Sequence, residues 1–362
     1  SCSCHTGKQI TASGLQRKDF QTEVNGQHTD LFTLSNKQGM EVCITNYGAR
    51  VVSILVPDRN GKREDVVCGF STITEYMEQR QNFGSTVGRY IGRILNARFT
   101  LDGVEYKLVP NNGKSGHISH GGNPGFADRI WKVEQADTHR VRLSYLSPDG
   151  ENGFPGNLKV TLVYSLGEDD NALDLTYEAT TDAPTVLNLS HHSFFNISGN
   201  FTKSVEDQQL WVDADRFTPY DDKKCVTGEY LPVAGTPLDF RMPHTIGECI
   251  DADHPQLKVV NGYDHTWELN TKGDDTRPAA WVYDPASGRK MEIFTTEPGM
   301  QIYTGNGLKG KMTGKGGIAY PFRSAVCFET MHFQDSPNQP GFPSTVLRPG
   351  EVFRSHTVYK FE

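Results

Sequence analysis

Residues able to move protons and hold hydroxyl groups recur through this 362-residue chain, most densely in residues 185–199, TVLNLSHHSFFNISG. β-Branched and aromatic residues dominate the stretch, and Asn196 with Ser198-Gly199 closes it, the pattern of an extended strand. Alternate side chains of a strand point to opposite faces. One face then carries Val186, Asn188, Ser190, His192, Phe194 and Asn196; the other carries Thr185, Leu187, Leu189, His191, Ser193 and Phe195. Two adjacent histidines on a regular strand cannot share a site. The polar line predicts a cleft wall with His192 on it, and the leucine line predicts core with His191 in it. A hydrogen-bonded, half-buried pair with no chemical role is the plain alternative.

Four further segments place polar groups where a bare scaffold has no need of them. Glu329 ends the apolar run SAVCFET (324–330) and is followed by Met331 and Phe333. A carboxylate buried there is costly unless paired, and burial raises its pKa, which makes it a candidate for proton transfer. A buried salt bridge to an arginine is the structural alternative. Arg89 and Arg93 stand four apart in GRYIGRI (88–94), a weak signal that snorkelling at a sheet edge would explain equally. His120 precedes paired glycines in HISHGG (117–122), a bent loop from which a side chain reaches a ligand easily. Asp264 sits between aromatics in NGYDHTW (261–267), a composition suited to a sugar: a ring stacks on the C–H face and a carboxylate holds hydroxyls. An Asx turn would account for it too.

The elements that must position these residues are almost all strands. Alternating or apolar runs fall at 31–34, 40–47, 48–58, 140–146, 158–166, 172–179, 209–214, 290–295, 301–304, 325–330 and 355–361. Asp102-Gly103 marks a tight hairpin within 99–108. Helical periodicity is confined to about two turns at 73–80 and near 245–252. Strands without intervening helices predict antiparallel sheets packed face to face, a large all-β sandwich. No repeat, linker or low-complexity block divides the chain, so the expectation is a flexible segment at 1–18 and one domain over 19–362.

The net charge of −8, with 36 basic and 44 acidic residues, argues against nucleic acid or an anionic membrane as partner. No run approaches the ~18 apolar residues of a spanning helix. The seven cysteines include no C-x-x-C pair, and Cys43, Cys68 and Cys327 lie in apolar runs, so free buried thiols are expected rather than a disulfide framework or zinc site. The opening SCSC leads straight into a polar segment. Two readings stand: a bacterial lipoprotein numbered from near its processing site, anchored through Cys2 or Cys4 in the periplasm, or a disordered terminus on a cytoplasmic protein.

With these segments in place, the sequence resembles the aldose 1-epimerase (galactose mutarotase) family over nearly all of 19–362. Eight pieces match in the family's order: GRYIGRI (88–94), SHGG (119–122), SPDGENGFPG (147–156), NLSHHSFFNI (188–197), GYDH (262–265), PGMQIYTGN (298–306), FETMHFQDSPN (328–338) and RPGE (348–351). The resemblance implies a galactose mutarotase-like supersandwich with an open sugar cleft, no metal or organic cofactor, an aldohexose as partner, and a monomer or weak dimer. Carried over residue by residue, it implies His192 as general acid, Glu329 as general base, and Arg93, His120, Asp264 and Gln301 as sugar-binding groups. Two departures stand out. The family usually has asparagine where this chain has Gly92, which implies one hydroxyl contact missing or supplied elsewhere, and asparagine where it has His191.

The implied activity is interconversion of α and β anomers of hexoses such as glucose and galactose. A non-catalytic carbohydrate-binding protein is the alternative from another class, although binding alone needs neither an acid nor a base. A hexose-6-phosphate epimerase would call for basic residues at the cleft mouth, and none cluster beside these motifs. A glycosidase would need two opposed carboxylates and leave the histidines idle.

Overall fold

Strands 158–166 and 172–181 alternate apolar and polar residues, so each has one face that must be covered. In a computed structural model of the protein, which describes residues 8–362, both belong to a nine-stranded antiparallel sheet. Its order is Lys132–Ala136, Arg140–Ser147, Leu158–Leu166, Ala172–Thr181, Phe353–Phe361, Lys290–Thr295, Ala280–Tyr283, Gln209–Val212 and His244–Thr245. Leu158, Val160, Leu162, Leu173, Leu175 and Tyr359 line its inner face, all buried.

A six-stranded antiparallel sheet covers that face, in the order Phe194–Phe195, Val326–Met331, Gly299–Tyr303, Asp264–Glu268, Arg216–Thr218 and Leu231–Pro232. The layers are bound by more than apolar contact. The Tyr359 hydroxyl donates to the Phe328 carbonyl at 2.6 Å, the Thr330 and Thr357 hydroxyls meet at 2.7 Å, and the Phe195 and Tyr359 rings lie 5.1 Å apart. A four-stranded sheet, Leu31–Ser35, Glu41–Thr45, Arg50–Pro57 and Arg63–Asp65, adds Phe32, Val42 and Ile54 to the same core. The architecture is the all-β sandwich expected. The hairpin also forms as read, Arg98–Leu101 with Val104–Lys107, its turn residues Asp102 and Gly103 both at positive φ. Cys43, Cys68 and Cys327 are free and buried.

Three expectations need correction. Residues 185–199 are not one strand but three short pieces, Thr185–Val186, Ser190–His192 and Phe194–Phe195, pairing with Val346–Leu347, Ser85–Val87 and Val326–Met331 in turn. Most of the predicted polar cleft wall is instead hydrogen-bonded scaffold. Asn188 binds the backbone of Ile91 and His332, and Asn196 gives its amide to the carbonyls of Asn200, Lys203 and Ser324.

The second helix is Pro255–Val260, with His254 accepting the Gln256 N–H and proline in the first turn; 245–252 holds only a 3-10 turn, Ile246–Glu248. Proline at the first helical position was the readable signal.

The N-terminal segment is anchored before residue 19. Leu15 is buried, the Ala12 and Ser13 N–H groups donate to the Glu41 carboxylate, and Arg17 pairs with Asp30. Cys2 and Cys4, on which the lipid-anchor reading rested, lie outside the described residues.

Candidate active site

Glu329 reaches the cleft because of strand register. Val326, Phe328 and Thr330 face the sandwich core, so Cys327, Glu329 and Met331 face the other way, yet the whole strand is buried. On that second face Glu329 stands beside Gln301, Gln301 beside Thr266, and Thr266 beside Thr218. The neighbouring row runs Phe194, Cys327, Tyr303, Asp264. Two rows across one sheet thus bring together residues far apart in sequence.

Loops complete the opposite wall. All six residues singled out from the sequence, Arg93, His120, His192, Asp264, Gln301 and Glu329, line one cleft of about 620 Å³, a size typical of small-molecule sites. Nε2 of His192 lies 3.2 Å from Oε1 of Glu329, with the two side chains 7% and 3% exposed. The imidazole is stacked on Phe194 at 5.1 Å and meets the edge of His120 at 5.5 Å; its Nδ1 is buried and has no partner among the described residues. Burial pushes the Glu329 carboxyl well up, helped by the charge of Asp264, and pushes the His192 imidazole well down. A pair so placed favours its neutral form, with the proton between Nε2 and Oε1 residing on the carboxyl.

His120 sits at φ +51°, and the Gly92 N–H donates to its Nδ1 at 3.1 Å. Burial, with Arg93 nearby, lowers its pKa to about 4, so at neutral pH the ring is uncharged and its hydrogen is on Nε2. Gln301 donates from Nε2 to Asp264 at 2.9 Å and takes the Thr266 hydroxyl on its oxygen. Burial raises Asp264 to about 6. Arg93 is half-buried, with one guanidinium nitrogen donating to the Lys224 carbonyl at 2.6 Å.

The two arginines of the first motif divide their work. Arg89 is buried and donates to Ser147 and to the carbonyls of Ser147, Pro148, Pro155 and Gly156, which binds the first motif to the loop 147–156. Only Arg93 faces the cleft. The aromatics flanking Asp264 do not line the cleft as expected. Tyr263 and Trp267 are fully buried, their polar tips donating to the Pro237 and Leu238 carbonyls. Alternation along the strand puts Trp267 on the face opposite Asp264, and Tyr263 precedes the strand, which begins at Asp264.

The cleft aromatics are Phe194, Tyr220 and Tyr303. Sequence reasoning missed Tyr220, Tyr303 and Gln334. Gln334 belongs to a matched segment, but nothing in its spacing aimed it inward. Gly92, at φ +81°, leaves it room, since a Cβ there would stand 2.6 Å from Cγ of Gln334. Lys224 and Lys258 also line the cleft, and neither lies in a matched segment. The donor atoms of His192, Cys327 and Glu329 lie within 4.8 Å of one another, the one such trio among the described residues. Zinc accepts those donors, and an ion there would occupy the imidazole and the carboxylate at once.

His191 takes the opposite side from His192, as parity required. It is buried between Tyr164 and Tyr359, with Nε2 at 2.5 Å from the Ser193 hydroxyl, and burial lowers its pKa to about 3. His191→Asn is therefore expected to keep kcat within a fewfold while lowering stability by about 1–3 kcal/mol through lost packing and a lost hydrogen bond. Polarimetry beside a thermal melt checks this, and a deep loss of kcat in a folded variant would contradict the parity.

The sequence profile of the family described as aldose 1-epimerase matches residues 30–360. The chain is 39% identical to the galactose mutarotase of Sus scrofa over 330 residues, covering 91% of this chain and 93% of that protein. It is 36% identical to the aldose 1-epimerase of Escherichia coli K12 over 339 residues, 93% and 96% of the two. Among solved structures it resembles an aldose epimerase homologue from C. elegans, with TM-score 0.85 and 31% identity over 92% of this chain and 99% of that one. It also resembles galactose 1-epimerase from Lactobacillus acidophilus, with TM-score 0.81 and 28% identity over 94% and 97%.

Proposed function

The chain belongs to the aldose 1-epimerase family and interconverts the α and β anomers of aldoses; we propose that Glu329 and His192 are its base and acid, and that aldohexoses such as glucose and galactose are its substrates. The observation that carries the assignment is the buried 3.2 Å contact between Nε2 of His192 and Oε1 of Glu329 in a cleft also lined by Arg93, His120, Asp264 and Gln301.

Anomers interconvert by opening the hemiacetal ring and closing it on the other face of C1. Opening removes a proton from the C1 hydroxyl and delivers one to the ring oxygen as the C1–O5 bond breaks. The resting pair carries the single proton this needs. Its passage from the carboxyl to Nε2 gives a carboxylate and an imidazolium without drawing on solvent. Glu329 then takes the O1 proton and His192 protonates O5. After rotation about C1–C2, His192 reclaims the O5 proton, Glu329 returns the other to the carbonyl oxygen, and no net proton is consumed. Arg93, His120 through its Nε2–H, Asp264 and Gln301 hold the remaining hydroxyls.

The electrostatics predict the pH profile. As pH falls through about 6, Asp264 protonates and loses its charge as an acceptor, and at lower pH a further proton taken up by the Glu329–His192 pair leaves it no base, so kcat/KM declines on the acid side. Asp264→Asn should raise KM and move that limb to lower pH, because the negative charge that favours protons on the Glu329–His192 pair is gone. A limb that stays in place or moves to higher pH would show that the two carboxyls do not interact.

Polarimetry on freshly dissolved α-D-glucose, α-D-galactose, xylose, arabinose and fucose tests the substrate reading; activity on none would leave a carbohydrate-binding protein. Lys224 and Lys258 give the phosphorylated-aldose reading one observation in its favour, although Lys258 is ion-paired with Asp253. Glucose 6-phosphate belongs in the same panel, and a clear preference for it would replace the hexose assignment.

A further inference from the structure

Tyr220 and Gln334 share the cleft with the proposed sugar-binding residues, and their hydrogen bonds have a fixed polarity. The Arg93 N–H can only donate, so the oxygen of Gln334 faces it at 3.3 Å and the amide nitrogen faces the Tyr220 hydroxyl at 2.9 Å. Gln301 is oriented in the same way, because the Asp264 carboxylate takes its amide nitrogen, which also reaches the Tyr220 hydroxyl at 3.2 Å. The tyrosine oxygen therefore accepts twice. Burial keeps the phenol protonated, and its hydrogen has no acceptor among the described residues. The oxygen of Gln334, meanwhile, has one long contact and a second lone pair. A donor beside an acceptor is what a single sugar hydroxyl requires.

We propose that Tyr220 and Gln334 form a hydroxyl-binding subsite that helps set which aldose the enzyme accepts. Glycine at 92 is part of the device, since a Cβ there would collide with Cγ of Gln334. The subsite rests on the sugar reading given above.

Tyr220→Phe removes the donor and keeps the ring, and Gln334→Ala removes the acceptor. Each should raise KM roughly tenfold, the worth of one well-placed hydrogen bond, with kcat within about threefold. Measured across 2-, 3-, 4- and 6-deoxyglucose, the penalty should vanish for the one sugar lacking the bound hydroxyl. Gly92→Asn alone should impair binding by collision. Gly92→Asn with Gln334→Ala should recover most of it, because asparagine tolerates the left-handed backbone and restores a carboxamide from the other side.

An unchanged KM for glucose and galactose, or a penalty equal across every deoxy sugar, would overturn the subsite. Calorimetric binding of the same sugars to Glu329→Gln reads the subsite without turnover. Loss of differential binding there sinks this inference alone, whereas a wild-type protein that turns over no aldose sinks the catalytic reading.

Discussion

Glu329→Gln abolishes practical mutarotation: kcat for glucose and galactose falls by ~10²–10⁴, the usual worth of one positioned base, while the fold persists. Glutamine has the shape of the side chain it replaces and still offers an oxygen toward His192, but it cannot take a proton from O1. The carboxyl is buried and its pKa well raised, so its ionised form is disfavoured where it stands. Removing an ionisable group from such a place relieves a cost rather than breaking a support. The melting temperature of the variant should therefore equal or exceed that of the wild type. Polarimetry and a thermal melt on the same preparation separate the two effects. Near-wild-type turnover would remove Glu329 from the chemistry, and lost turnover with a lowered melting point would recast it as a structural residue.

Period-two alternation did much of this work from sequence. It assigned His192 and His191 to opposite faces, and the cleft and core positions of the two rings agree. It worked there because Ser190–His192 is a genuine strand paired to Ser85–Val87. It failed for Asn188 and Asn196, because the chain changes partners on either side of those residues and uses their amides to tie loops together. Alternation predicts which way a side chain points and says nothing of whether solvent or backbone lies there.

Asp264 shows a related limit. Its aromatic neighbours suggested a stacking subsite, yet Tyr263 and Trp267 are core. The rings that do line the cleft, Phe194, Tyr220 and Tyr303, come from three separate segments. Cross-strand register brings Phe194 and Tyr303 alongside Asp264, and register depends on sheet order, which local pattern does not contain. Gln334 was illegible for another reason. Its position is set by the absence of a side chain at Gly92, and a vacancy in one segment cannot be matched to a side chain in another before folding.

His192→Ala should lose a comparable ~10²–10⁴ in kcat, but its stability will respond differently. The ring is packed between Phe194 and His120, so truncation leaves a cavity and the melting temperature falls. His192→Gln is the better probe, because it fills more of the space and still donates to Glu329 without carrying a mobile proton. The double variant His192→Gln with Glu329→Gln decides whether the two act as a unit. If one proton passes between O1, O5 and the pair, either loss stalls the same cycle, and the double variant should be little slower than the slower single. Losses that multiply would mean each residue assists a separate step. In that case the 3.2 Å contact between them would be a feature of the empty cleft and no part of the proton path.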